Sequence, residues 1–161
     1  MADFTSSYFG RYVDVYVMAL PEPGFEGEAD LRFGSITKVC SGIQKLAQLY
    51  MINLLTAVGS KLLAPTDGSG VGNLVIGGSS PGVTRLRHII NIGNAQTVDL
   101  ILGNQADILD AGTEPIPDDE LLIAATPISV DVTQCDSASF TVLLETAADV
   151  GTFVIPLPLV P

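Results

Sequence analysis

"SGIQKLAQLYMINLLTAVGSKLLAPTDGSG", Ser41 to Gly70, decides how the rest of the chain is read. Ser41 followed by Gln44 has the spacing of a capping box. Ile43, Leu46, Ala47, Tyr50, Leu54 and Ala57 then recur at the three- and four-residue steps of one helical face. Gly59 stands where a left-handed residue would end the helix. Leu49, Met51, Ile52, Leu55 and Val58 make the other faces apolar as well. A helix apolar nearly all round is buried on more than one side. In a chain of 161 residues, a partner subunit is a natural second wall.

The composition points the same way. Hydrophobic residues make up 47% of the chain and aromatics 6%, more apolar surface than one modest core readily hides. The longest apolar run, 47–58, is interrupted by Gln48, Asn53 and Thr56 and is too short for a membrane span. The first residues, "MADFTSSYFGRYVDVYV", lack the pattern of a signal peptide. Cys40 and Cys135 form no close-spaced motif and read as thiols of a reducing compartment.

Charge is divided unevenly. Residues 1–88 carry seven acids and seven bases; residues 89–161 carry eleven acids and no Lys or Arg. A nucleic acid would be repelled by that second half. It reads either as a solvated face or as a steering surface for a basic protein.

Outward from the central helix, "YVDVYVMAL" at 12–20 alternates like a strand, and "PEPGFEGEAD" after it reads as an exposed loop. The glycine-rich stretch 66–82 fails as a phosphate cradle. Gly68-x-Gly70 would need glycine at 73 and has Asn73, Gly70-x-Gly72 would need it at 75 and has Val75, and no Gly-Lys-Ser/Thr follows. It reads as a flexible surface loop. Leu86, Ile89 and Ile90 predict a short helix ended by Gly93, and Val98 to Leu109 predict another over 95–110, with Gly112 as its stop. From Asp119 the period becomes two. Leu122, Ala124, Ile128, Val130 and Val132 fall on one face, with a break or bulge at Pro127. "QCDSAS" makes a turn, Phe140, Val142 and Leu144 a returning strand, and "GTFVIPLPLVP" a last one. Pro156 and Pro158 put that last strand on an edge. The fold class is α+β in a single domain over 1–161: an N-terminal strand, two to three helices and a C-terminal antiparallel β-meander.

Little in the chain suggests chemistry. His88 is the lone histidine, without the cluster of ligands a metal site needs and without a nucleophile elbow to serve. Asp118, Asp119 and Glu120 could in principle pair carboxylates for glycoside cleavage, yet three acids in a row before a strand also make a solvated turn. The expectation is no enzyme, no metal and no cofactor.

The stretch "GIQKLAQLYMINLLTAVGSKLLAPTDGSG" resembles the gp25-like family, the baseplate-wedge and sheath-initiator proteins of contractile phage tails and type VI secretion systems. The resemblance rests on Leu54, Leu55, Thr56, Gly59, Ser60, Pro65 and Gly68, and on the order of helix, turn, second helix and C-terminal sheet over roughly 36–160, leaving 1–35 as an extension. Where the family carries Glu-Pro-Arg, this chain has Glu114-Pro115-Ile116, without the cation. The resemblance implies a structural virion protein in the tail baseplate, assembled in the host cytoplasm. Its partners would be baseplate wedge proteins and the tail sheath protein, with the tail tube as a further candidate. Leu54, Leu55, Thr56, Glu114 and Pro115 are then candidates for the wedge contact. Phe153, Val154, Ile155, Leu157 and Leu159, on an apolar edge, are candidates for the sheath contact. Another tail or neck completion protein, and a muramidase-like cell-wall hydrolase, are the alternative readings.

Overall fold

The central helix begins on a glycine. In the computed structural model, which describes residues 14–15, 18–19, 30–31, 39–77, 82–112, 115–134 and 137–158, α1 runs Ile43–Leu55 and its N-cap is Gly42 at φ 64°. No side chain of the expected Ser41–Gln44 capping box bonds the helix start. A distant carboxylate takes that place: Gly42 N–H donates to Glu120 Oε1 at 3.2 Å, and Lys45 Nζ donates to Glu120 Oε2 at 2.7 Å. Glycine is needed because the left-handed backbone at 42 penalises a side chain. Glutamate suits the place because a helix N-terminus favours negative charge.

The other end of α1 also differs from expectation. The helix stops at Leu55, where Thr56 turns extended and both its N–H and its Oγ1 donate to Ile52 O, at 3.0 and 2.6 Å. Gly59, expected as the stop, has φ 86° and serves the following turn.

The glycine-rich stretch is not a loop throughout. Gly70–Gly77 forms a second helix, α2. Gly72 permits close approach rather than flexibility. A Cβ on Gly72 would lie 2.4 Å from Ala57 N and Thr56 C, so α2 packs directly on the backbone that leaves α1. Ser69 closes the joint: its N–H donates to Thr56 O at 2.8 Å, its Oγ donates to Leu54 O, and that Oγ accepts Val71 N–H.

The two helices expected around Gly93 are one. The third helix, α3, spans Val83–Ala111 without a break and ends, as expected, at left-handed Gly112. Gly93 is a notch: a Cβ there would meet Val71 Cγ2 at 2.5 Å and Ser69 Oγ at 3.2 Å. The cost of glycine in a helix, about 1 kcal/mol relative to Ala, is offset by contact with α2.

The meander consists of β5 (Leu122–Gln134), β6 (Ser137–Thr146) and β7 (Val150–Pro158), antiparallel in the order β5-β6-β7. Before α1 lie two short pairs, β1 (Asp14–Val15) with β4 (Val39–Cys40) and β2 (Met18–Ala19) with β3 (Asp30–Leu31). The remainder of the strand expected over 12–20 lies outside the described residues. Phe140, Val142 and Leu144 are fully buried on the inner face of β6, as their alternation predicts. On β5 the alternation misleads. Its register shifts three times, once between Pro127 and Ser129, where a bulge was expected. Each shift inserts a residue and reverses the phase. The first two shifts bring Leu122, Ala125 and Val130 to the inner face and leave Ile128 exposed, whereas Val132 keeps the phase of Val130 and is nonetheless exposed.

The helices cover this inner face, α3 across β5 and α1 across β6 and β7. Two polar brackets align them. Buried Tyr50 Oη donates to Asn94 Oδ1, and Asn94 Nδ2 donates to Ala125 O at 3.1 Å, joining α1, α3 and β5. Gln105 Nε2 donates to Glu120 O at 2.8 Å, and its Oε1 accepts Leu122 N–H at 3.1 Å. Burial raises the pKa of the Tyr50 hydroxyl well above its ordinary value. No helix among the described residues is long and apolar enough to cross a membrane.

Candidate assembly surface

The turn after α1 presents two leucines to solvent. Leu62 and Leu63 are 94% and 96% exposed, values that leave essentially the whole side chains in water. They sit on a tied loop. Gly59 N–H donates to Pro65 O at 3.0 Å, Ser60 Oγ to Ala57 O at 2.7 Å, and Asp67 N–H to Ala64 O at 3.1 Å. Lys61 Nζ, between the turn and the leucines, reaches Asp67 Oδ2 at 3.3 Å and Asn53 Oδ1 at 3.4 Å. Leu49 and Ile52 on α1, and Val58 in the turn, are further exposed apolar side chains. An isolated exposed leucine needs no explanation, but a group of exposed apolar side chains makes this turn the candidate interaction surface.

The wedge-contact candidates fare differently from one another. Leu54 is fully buried within the core, and Leu55 and Thr56 are half-buried. Leu54 therefore has no surface to offer a partner and packs the core beneath the turn. Pro115 is exposed, and Glu114 lies outside the described residues. Val58, Leu62 and Leu63 offer the apolar surface instead. Their sequence signal was two leucines placed after the Gly59 turn and before Pro65, where no helical face could bury them.

Among the sheath-contact candidates, Ile155 and Leu157 are buried in the chain's own core, and Phe153 and Val154 are half-buried. Leu159 lies outside the described residues. What β7 can offer a neighbour is mainly backbone. Thr146 N–H donates to Asp149 O at 2.8 Å, closing the β6–β7 turn. Alternation from that pair turns the amides of residues 151, 153, 155 and 157 toward β6, and those of 150, 152, 154, 156 and 158 outward. Pro156 and Pro158 thus occupy outward positions, where a missing N–H costs the sheet nothing. Val150 N–H is taken by Asp149 Oδ1 at 2.8 Å. The outward donors left on β7 are those of Thr152 and Val154.

The acidic run splits. Asp118 is exposed, whereas Glu120 is buried and both its carboxylate oxygens are engaged at the start of α1. His88 lies exposed on α3. No three His, Cys, Asp or Glu among the described residues group to hold a metal ion. A shallow groove of about 320 Å³ between α2 and α3 is lined by Gly70, Asn73, Leu74, Ile89, Ile92 and Gln96. It contains no charged side chain. No family model matches this chain, and neither a curated protein nor a solved structure matches it.

Proposed function

We propose that this chain is a structural component of a contractile-tail baseplate, which binds wedge proteins through the turn after α1 and receives the first sheath subunits at the β7 edge. The observation that carries the assembly reading is the pair Leu62–Leu63, held in water by a hydrogen-bonded loop. Burying two leucines at a partner surface is worth about 2 kcal/mol each, enough to justify displaying them. The contractile-tail assignment rests on the resemblance of the Leu54–Gly68 region and on the order of helices and sheet. The β7 edge suits a short added strand, because its free donors are confined to Thr152 and Val154 while its outward carbonyls continue beyond them.

The test uses the full chain, tagged, in cells that assemble the tails encoded with it. Leu62→Asp with Leu63→Asp should leave melting unchanged, because neither side chain packs in the fold, and should abolish recovery with baseplate particles. Normal incorporation of that variant overturns the assembly reading. Val154→Pro removes an outward donor at a position where proline fits. It should leave baseplate rings intact but bare of sheath by electron microscopy. Full-length sheath on those rings overturns the role of β7, and recovery with neck proteins alone replaces the baseplate with the neck.

A further inference from the structure

The outer face of α3 carries a row that the fold does not use. Arg85, His88, Ile92, Ala95, Asp99, Leu102, Ala106 and Leu109 follow one another in steps of three and four along one side of the helix. All eight are exposed, Ile92 by 46%, Leu102 by 37% and Leu109 by 50%. The buried residues of the same helix, Leu86, Ile90, Gly93, Asn94, Thr97, Ile101 and Gln105, lie on the opposite side. A single helix packed on one side requires only the inner row. Ile92, Leu102 and Leu109, with Ala95 and Ala106 between them, make an apolar stripe on this row that no element among the described residues covers.

The charges identify the partner. Before Ile92 the helix carries Arg85, Arg87 and His88; after it come Asp99, Asp107 and Asp110, with no Lys or Arg. The row is also complementary to itself when reversed. An antiparallel copy in one register stacks Arg85 on Leu109, His88 on Ala106, Ile92 on Leu102 and Ala95 on Asp99, each layer occurring twice about a two-fold axis. Residue i meeting j while j meets i is what a symmetric pair requires. In this register Arg85 of each copy lies beside Asp110 of the other, and the helix dipoles oppose favourably. A parallel pair would set arginines on arginines and aspartates on aspartates. The geometry points to an antiparallel, two-fold pairing of α3 with α3 of a second copy of this chain. The groove beside Ile92 gives room for the incoming Leu102. The two Asp99 side chains near the axis oppose the pairing, which makes it a reversible contact. This surface is separate from the Leu62–Leu63 turn and does not depend on the function proposed above.

Sedimentation of the full chain across about 1 µM to 1 mM should show a monomer–dimer equilibrium. Leu102→Glu should weaken the dimer by at least about tenfold with melting unchanged. Arg85→Asp should also weaken it, and adding Asp110→Arg in the same chain should restore it. The register is tested with Cys135 replaced by Ser. Ile92→Cys with Leu102→Cys should cross-link two copies under mild oxidation, since the two positions are about 15 Å apart along one helix and cannot bridge within a chain. Each single cysteine variant should remain uncross-linked. A chain monomeric throughout the range, a dimer indifferent to Leu102→Glu, no rescue by Asp110→Arg, or cross-linking by Leu102→Cys alone would each overturn the proposal.

Discussion

Helices α1 and α3 are packed to different extents. The apolar α1 buries Leu46, Ala47, Tyr50, Met51 and Leu54, and polar Gln48 and Asn53 with them, and leaves Leu49 and Ile52 exposed. The more polar and longer α3 leaves Ile92, Leu102, Ile108 and Leu109 in water. The difference lies in the neighbours. Contacts from α2, α3, β6 and β7 reach most of α1, whereas α3 meets α1, α2 and β5 with its inner side only. Overall hydrophobicity therefore says how many walls a helix needs, but the position of each apolar residue says whether the fold supplies them.

Truncation across this pair of helices should give the largest contrast. Leu54→Ala removes a fully buried side chain from the centre of the core and should cost about 3 kcal/mol. Leu102→Ala, on the outer row, should cost the monomer less than about 0.5 kcal/mol. Urea melts at low protein concentration measure both. Equal losses would mean that α3's outer face is packed within the monomer, contrary to the exposure described above.

The buried link between the helices comes next. Tyr50→Phe leaves Asn94 Oδ1 buried without its donor and should cost about 1.5 kcal/mol. The same tyrosine gives a signature in alkali. Its hydroxyl keeps its proton in the folded chain after the unfolded chain has lost it. Stability should therefore fall as pH rises above about 10. Tyr50→Phe should lose this part of the alkaline decline, measured as melting temperature against pH. An unchanged slope would place the alkaline sensitivity elsewhere.

Two glycines in α3 sharpen the comparison most finely, because one substitution should act with opposite signs. Gly93→Ala brings a methyl against Val71 and Ser69 and should destabilise by about 1–2 kcal/mol. Gly103→Ala meets open space on the solvent side and should stabilise by about 0.5–1 kcal/mol through helix propensity alone. Thermal melts of the two variants check this; the same sign in both would remove the notch at Gly93 as the reason α3 lies so close to α2.

Several features were legible from local chemistry. Alternation placed Phe140, Val142 and Leu144 in the core, and the missing amides of Pro156 and Pro158 put β7 at an edge. Gly112 ended α3 as its type suggests. The errors share a cause. Gly72 and Gly93 read as breakers because propensity counts only the cost of glycine, while the compensating contacts come from residues distant in the chain. The cap at α1 was misread for the same reason, since its acceptor is 78 residues away. On β5 a bulge at Pro127 was foreseeable, but two further register shifts were not, and each one moves the following side chains to the opposite face.

For the candidate surface, the side chains singled out in the sequence and those the fold exposes are different members of one segment. Leu54 and Leu55 belong to a helical period and are drawn toward the core; Leu62 and Leu63 follow a turn and have no face to join. By itself the sequence determined the α+β class, the helical period of Ile43–Leu55, the alternation of the central strand and the acidic second half, because each depends on residues a few positions apart. Only the tertiary structure decided which apolar residues stay in water, which glycines are contacts and where Glu120 places its carboxylate. Those outcomes depend on which surfaces arrive from far along the chain, and no local pattern contains that information.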